Sequence, residues 1–340
     1  MFKTIEQFPN ASLLVLGDVI LDCYLWGQVE RICPEAPVPV VEVTRESMML
    51  GGAANLVTYL KSLGAQVSLC GVVGKDEAAQ EISKKLKEMG VDSHGLICES
   101  HRPTSKKTRI VAGHQQVVRF DHETKACVAS ETTQKISAFL EKNWKKFDAI
   151  IISDYGKGMI TPLLLEKITK LHEKNSKLIS VDPKERNMEY YKGVSLITPN
   201  KKEASFAAQK DIETEEDLKE TGRKIIHRLQ CENLVITLGA DGMALFKKSG
   251  EFLKIPTFAK EVFDVSGAGD TVVSVLTLAL SCGASLEEAA VLANFAAGIV
   301  VGKIGTASVT PEELKKYIQV EKKRISPTKL SFESLTSPVL

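Results

Sequence analysis

Val262-Phe263-Asp264-Val265-Ser266-Gly267-Ala268-Gly269-Asp270-Thr271 places two glycines immediately ahead of a carboxylate, and an apolar run over 272–280 follows. The run predicts a buried helix over 268–281, which puts Gly267, Ala268 and Gly269 at its N-terminus. N–H groups there lack intrahelical partners and lie at the positive end of the helix dipole, so they suit an anion. Small residues let a phosphate approach the backbone. Asp270 then stands rigidly in the first turn, and stabilised charge beside a base is what phosphoryl transfer to a hydroxyl requires. The plainer alternative is a tight turn in which Asp270 only complements the dipole.

Toward the other end of the chain, Met49-Leu50-Gly51-Gly52-Ala53-Ala54-Asn55-Leu56 opens a helix read over 53–63, with Asn55 one turn in. The glycine pair would let a small polar ligand reach the backbone, and Asn55 offers the donor and acceptor that a sugar hydroxyl needs. Strands read at 12–16, 66–72, 147–152, 177–181, 194–197 and 234–237 alternate with helices at 76–89, 162–173 and 285–301. That alternation predicts an α/β fold: a mainly parallel sheet with helices on both faces. Four strands end in polar residues, Asp18, Asp154, Asp182 and Asn200. Each taken singly reads as a helix cap. Together, at the carboxyl ends of strands, they are more economically a ligand site.

Composition narrows the class. A chain of 340 residues forms one large α/β domain or two ordinary ones, with a substantial core either way. Hydrophobic content of 44% and charged content of 26% are ordinary for a soluble globular protein, and a cytoplasmic one is expected. A formal charge of +1 gives no case for a basic nucleic-acid surface. Residues 1–10 are polar, with no apolar core of signal-peptide length, and no run approaches 18 apolar residues, so no membrane partner is expected. The seven cysteines form no Cys-x-x-Cys pair and read as reduced thiols, mostly small core residues. The six histidines share no metal-ligand spacing, and there is no P-loop motif.

Two segments break the alternation. Residues 29–43 are β-branched and carry Pro34, Pro37 and Pro39, which exclude a central strand. Residues 106–121 alternate apolar and polar side chains, as in Thr108-Arg109-Ile110-Val111. Both read as strands of a small β lid over about 23–45 and 104–121, outside the main sheet. Such a lid excludes water on closing and can pair between subunits; an ordinary exposed meander is the plainer reading. The domain is expected to span 1–320, with 321–340, basic and containing Ser and Pro, as a disordered tail.

In this order the two glycine motifs resemble the paired signatures of the ribokinase-like (PfkB) sugar kinases, over roughly 13–310. Within that family, Glu30-Arg31-Ile32-Cys33-Pro34-Glu35-Ala36-Pro37-Val38-Pro39-Val40 is similar to a stretch of the heptose-7-phosphate kinases, with Cys33 where they carry Ser. Gln115-Gln116, Arg119-Phe120-Asp121, Ser153-Asp154-Tyr155-Gly156-Lys157-Gly158, Val181-Asp182-Pro183-Lys184 and Ile299-Val300-Val301-Gly302-Lys303-Ile304-Gly305-Thr306 resemble the same group, and Gly113-His114 fall in a variable stretch. The resemblance implies a three-layer fold with a β lid, a homodimer formed through that lid, and ATP with Mg²⁺ as cofactors. It implies phosphorylation of the anomeric hydroxyl of D-glycero-β-D-manno-heptose 7-phosphate to the 1,7-bisphosphate, for the lipopolysaccharide inner core.

Residue by residue, the resemblance makes Asp270 the base and the amides of Gly267, Ala268 and Gly269 the anion hole. Asp18, Asp22, Gly51, Gly52 and Asn55 would hold sugar hydroxyls, with Asp154 and Lys157 where sugar and phosphate meet. Arg109, Arg119, Lys157 and Lys184 are the cationic candidates for the 7-phosphate, each alternatively a solvated charge. On the nucleotide side stand Asn200, Lys201, Lys202 and Glu203, with Glu203 acting on Mg²⁺ through water; a capped helix start is the plainer reading. Thr237-Leu238-Gly239-Ala240-Asp241-Gly242 reads as a turn near the ATP phosphates or ribose, and Asn294 would border the adenine. Alternatives are a kinase of the family for another sugar and a non-catalytic sensor on the same scaffold. A bifunctional enzyme with an adenylyltransferase half would add a His-x-Gly-His motif and roughly 100 residues more, neither of which these residues contain.

Overall fold

In Ser12–Gly17 (β1), Leu13 and Val15 pack into one hydrophobic core while Leu14 and Leu16 pack into another. Successive side chains of a strand point to opposite faces, so a strand buried on both sides must be the middle layer of three. The computed structural model describes residues 1–113, 115–259, 262–303 and 307–324, the side chains of 322–324 excepted. Before β1 lies Phe2–Gln7 (α1). After it come Val19–Ile32 (β2), Pro39–Gly52 (β3), Ala53–Ser62 (α2), Gln66–Val73 (β4), Glu77–Glu88 (α3) and Asp92–Cys98 (β5). Ser105–Ala112 (β6), Gln115–His122 (β7), Ser130–Asn143 (α4), Ala149–Ser153 (β8), Pro162–Lys174 (α5) and Leu178–Asp182 (β9) follow. Then come Leu196–Ile197 (β10), Lys201–Ala208 (α6), Glu215–Leu229 (α7), Asn233–Thr237 (β11), Met243–Lys247 (β12) and Phe252–Ile255 (β13). Ala268–Ser281 (α8), Leu286–Val301 (α9) and Pro311–Arg324 (α10) complete the described chain.

The main sheet has the order β13-β12-β11-β10-β9-β8-β1-β4-β5 and is parallel from β11 through β5, with β12 and β13 added antiparallel. Helices α2, α3, α8 and α9 contribute to the core on one face, α4, α5, α6 and α7 to the core on the other. Helix α8 is apolar nearly all round, from Val272 to Ala279, because it packs between the sheet and α9. The chain moves to one side of β1 through β4 and β5 and to the other through β8 and β9. Ligand crevices of open α/β sheets form at such a reversal. Gly17 pairs with Ser153 and Ser153 with Asp182, which brings Asp18, Asp154 and Asp182 to that crevice.

A second sheet, β3-β2-β6-β7, stands apart from the first and is the lid expected from the sequence. It is larger than the sequence suggested, since β2 and β3 run for 14 residues each, through 19–32 and 39–52. The prolines are accommodated as expected for their missing N–H: Pro34 and Pro37 lie in the β2–β3 turn and Pro39 starts edge strand β3. Asp76 joins the layers, capping α3 through Ala79 N–H and accepting Thr104 N–H (2.8 Å) and Oγ1–H (2.7 Å) just before β6.

Helix α10 continues to Arg324 with Glu321 buried, so folded structure extends past residue 320. Residues 325–340, where a tail was expected, lie outside the described residues, as do His114 and the Ile304-Gly305-Thr306 end of one resembling stretch. All seven cysteines are free, but only Cys23, Cys70 and Cys231 are buried; Cys98 and Cys127 are exposed. Among the described residues no helix is long and apolar enough to cross a membrane, and no group of three His, Cys, Asp or Glu could hold a metal.

Candidate active site

Asp270 sits in the first turn of α8, buried at 8% exposure, with a protein donor on each carboxylate oxygen. Asn55 Nδ2 donates to Oδ2 at 2.7 Å and the Tyr155 hydroxyl to Oδ1 at 2.7 Å. Burial raises its pKa above the ordinary aspartate value; the two hydrogen bonds oppose that shift and the Asp22 charge adds to it. A buried carboxylate with a raised pKa at a helix N-terminus is suited to accept a proton from a hydroxyl.

The cradle beside it is narrower than three amides. Ala268 N–H already donates to Val265 C=O at 3.2 Å, whereas the N–H groups of Gly267 and Gly269 have no acceptor among the described residues. Gly267 caps α8 with φ +79°, and a Cβ there would lie 2.1 Å from the buried Tyr59 hydroxyl. Gly269 has nothing within 4 Å of its Cβ position, so that side of the cradle is open to a ligand. The preceding loop is fixed by Phe263 and Asp264 N–H groups donating to Val301 C=O at the end of α9.

Next to the cradle lies a cavity of about 330 Å³ lined in part by Thr237, Gly239, Ala268, Gly269, Asn294 and Gly298. Thr237, Gly239 and Asn294, expected on the nucleotide side, therefore share one pocket with Ala268 and Gly269 of the cradle. The Asn294 amide is itself engaged, donating to Pro256 C=O (2.7 Å) and accepting from Phe258 N–H (3.3 Å), so it shapes the pocket wall. Asn200 and Glu203 form a complete capping box on α6, while Lys201 and Lys202 are exposed in its first turn. The capped helix start is thus realised, although an Asn200–Thr237 bridge keeps Asn200 beside the pocket. The Glu203 carboxylate also receives Lys184 Nζ at 2.9 Å. Burial first, then the Asp270 and Glu203 charges, push Asp182 well above the usual carboxylate range.

The sugar-side expectations divide. Asn55 and Asp22 approach Asp270. Asp18 and Asp154 reach the crevice with their oxygens occupied. Asp18 accepts the N–H groups of Tyr155 (2.9 Å), Lys157 (3.0 Å) and Met159 (3.1 Å), and Asp154 binds Gly156 N–H, Asn187 and the Tyr191 hydroxyl. Burial and then the neighbouring Asp154 raise Asp18 to about 6 against those three donors. These two aspartates hold the 155–159 loop, and with it Tyr155, in place.

Gly51 and Gly52 are also required by packing. A Cβ at Gly51 would strike Asp22 Oδ2 at 2.0 Å and one at Gly52 would strike Asp18 C=O at 2.4 Å, so protein atoms fill the space read as room for a ligand. Of the four cations, Arg109 pairs with Asp22 (2.5 Å), Lys157 with Glu123 (2.5 Å), Lys184 with Glu203, and Arg119 with Asp121 (3.1 Å) while half exposed. Two residues were missed. Tyr155 is read as part of a motif but given no task, and Lys107 is passed over beside Arg109. Its period-two spacing from Arg109, which puts both on one face of β6, is the signal that could have found it.

The chain is 46% identical over 315 residues to the bifunctional protein HldE of Desulfatibacillum aliphaticivorans, covering 93% of this chain and 64% of that protein. It is 46% identical over 309 residues to the bifunctional protein HldE of Citrifermentans bemidjiense, covering 91% and 63%. The chain thus spans less than two thirds of the length of these relatives. Among solved structures, phosphofructokinase-2 from Escherichia coli in complex with substrates and products superposes with a TM-score of 0.76 at 18% identity, over 92% of this chain and 99% of that one. Ribokinase from Arabidopsis thaliana complexed with ribose and ATP gives 0.71 at 18%, over 91% and 99%. These two share the fold. Residues 10–313 match the pfkB family carbohydrate kinases, and the chain belongs to that family of sugar kinases.

Proposed function

We propose that this kinase transfers the γ-phosphoryl group of ATP to the C1 hydroxyl of D-glycero-β-D-manno-heptose 7-phosphate, giving the 1,7-bisphosphate and ADP. The observation that carries the reading is Asp270, buried and hydrogen-bonded at the N-terminus of α8, next to the open amide cradle at Gly267 and Gly269. Relatives named HldE and the lid stretch around Arg31 to Val40 support the choice of heptose.

In this reading Asp270 accepts the C1 proton as the hydroxyl oxygen bonds to the γ-phosphorus, and the bond to the ADP oxygen breaks. The Gly267 and Gly269 N–H groups donate to the transferring oxygens, and the helix dipole adds to their effect. Asn55 and Asp22 hold sugar hydroxyls; Asp18 and Asp154 act on the sugar through the Tyr155 loop. The cavity of Thr237, Gly239 and Asn294 takes the nucleoside, with Asn200, Lys201 and Lys202 toward its phosphates.

The donor set suits Mg²⁺ carried in by ATP, because magnesium keeps several waters and takes phosphate oxygens rather than a protein cage. Glu203 would hold it through water, close to Asp182, whose pKa is raised first by burial and then by the Asp270 and Glu203 charges, a repulsion that a cation would relieve. When bound, Mg²⁺ would supply charge neutralisation for the phosphates. The lid strands β3 and β7 leave unpaired edges, and Ile32, Val38, Val118 and Phe120 are exposed on the lid, which supports a homodimer paired there. A coupled ATP-turnover assay over a panel of sugar 7-phosphates and free sugars tests the reading. Turnover is expected to be fastest with the heptose 7-phosphate, and a clear preference for a different acceptor would contradict it.

A further inference from the structure

Three strands of the lid align their charged residues in two rows. Asp22, Lys107 and Asp121 face one another across β2, β6 and β7, and Tyr24, Arg109 and Arg119 form the next row on the same face. Within the rows the carboxylates are claimed: Asp22 by Arg109 and Asp121 by Arg119. Lys157, the nearby cation from the 155–159 loop, is claimed by Glu123. Lys107 is half-buried and has no carboxylate within ion-pair distance among the described residues, so it is the cation of this cluster left without an anion. A partly buried ammonium without a counter-charge is costly, and a bound anion removes that cost.

The position of Lys107 says which anion. Its ammonium lies 5.3 Å from the centre of the Tyr155 ring, and the hydroxyl of that same ring donates to Asp270. The ammonium thus stands over the ring, and the carboxylate meets the hydroxyl, of one tyrosine side chain. A monosaccharide lying beside Tyr155 with one hydroxyl at Asp270 would bring another of its substituents to Lys107. We infer that Lys107 is the specificity-determining cation of the acceptor site, binding the phosphate monoester borne by a phosphosugar at the end remote from the reacting hydroxyl. Arg109 and Lys157 flank that position, each already neutralised, so Lys107 carries the unmatched charge. Burial depresses the Lys107 pKa and the Asp22 charge partly restores it, consistent with an ammonium awaiting an anion.

The inference rests on the phosphosugar reading above, and the experiment separates the two. Lys107→Met keeps the length of the side chain and removes the charge; Lys107→Arg keeps the charge. Steady-state kinetics would be run with heptose 7-phosphate, with the same heptose lacking its phosphate, and with varied ATP, after thermal melts establish that both variants fold. The KM for the phosphosugar is expected to rise roughly 10- to 100-fold in Lys107→Met, the scale of a lost charge-assisted hydrogen bond, and to recover substantially in Lys107→Arg. The KM for the unphosphorylated heptose is expected to move less than about threefold on the same reasoning. An unchanged phosphosugar KM in Lys107→Met, or an equal rise for both sugars, overturns the inference. A rise confined to the KM for ATP also overturns it, placing the ammonium on the transferred phosphate. If the wild-type protein turned over no phosphosugar, the parent reading would fail, and this inference with it.

Discussion

The Tyr155 hydroxyl donates to Asp270 Oδ1 at 2.7 Å, so a phenol occupies the position from which an acceptor hydroxyl would meet the proposed base. The other oxygen is held by Asn55. Sugar binding must therefore share or displace the Tyr155 contact, and the loop that carries Tyr155 is itself held by Asp18.

One consequence is a pH profile with a defined sign. As the proposed base, Asp270 would work as a carboxylate, so activity is expected above its pKa and is expected to be lost as pH falls through it. Burial sets that pKa above the ordinary aspartate value, and the acid limb of kcat/KM should lie correspondingly high. The Tyr155 hydrogen bond lowers the pKa, so Tyr155→Phe should move the acid limb to still higher pH. Profiles of both proteins check this; a limb that stays put or moves down contradicts it.

The two cradle glycines should respond differently. Gly267→Val forces a β-branched residue into a left-handed backbone and toward Tyr59, at a cost of about 1–3 kcal/mol or more in stability. Gly269→Val meets no protein atom at its Cβ and should leave stability within about 1 kcal/mol of the value expected from helix propensity. Its methyls would stand where the phosphate approaches, lowering kcat at least tenfold with little change in sugar affinity. Urea unfolding, turnover and sugar calorimetry on both variants decide the matter; equal destabilisation of the two would refute the contrast.

For the lid, light scattering at micromolar concentration is expected to give a dimer, and Ile32→Asp with Phe120→Asp to give a monomer. Both side chains are at least half exposed on the lid sheet, and burying a carboxylate in a paired interface is unfavourable. A wild-type monomer, or a double variant that remains a dimer, contradicts a lid-built interface.

Much of the fold was legible because period-two and period-3.6 patterns are strong where strands are buried on both faces and helices are apolar. Helix α8 matches the range read from the sequence at both ends, 268–281, since Gly267 starts it and Gly283 follows it. Helix α7, Glu215–Leu229, went unread because its charged face outnumbers its buried residues. The antiparallel addition of β12 and β13 departs from the alternation of strand and helix and left no comparable signal.

The site was legible as positions more than as tasks. Asp18, Asp154 and Asp270 all reach one crevice, but only the folded chain reveals that backbone N–H groups consume Asp18. The glycines at 51 and 52 carried a similar ambiguity: a missing side chain leaves room for a ligand or for a neighbouring protein atom, and here Asp22 and the Asp18 carbonyl fill it. Lys107 was hidden for a different reason. Its significance lies in what Asp22 and Asp121 are already bound to, a property of strand register.

Asp270→Asn is the most direct test of the proposal that this carboxylate is the base. The amide is nearly isosteric and can keep contacts to Asn55 and Tyr155, so the fold and ATP binding should be retained. Measured by coupled assay at saturating ATP and phosphosugar, kcat should fall by at least roughly a hundredfold, the scale of losing a general base. A well-folded Asp270→Asn protein with near-wild-type kcat would contradict it.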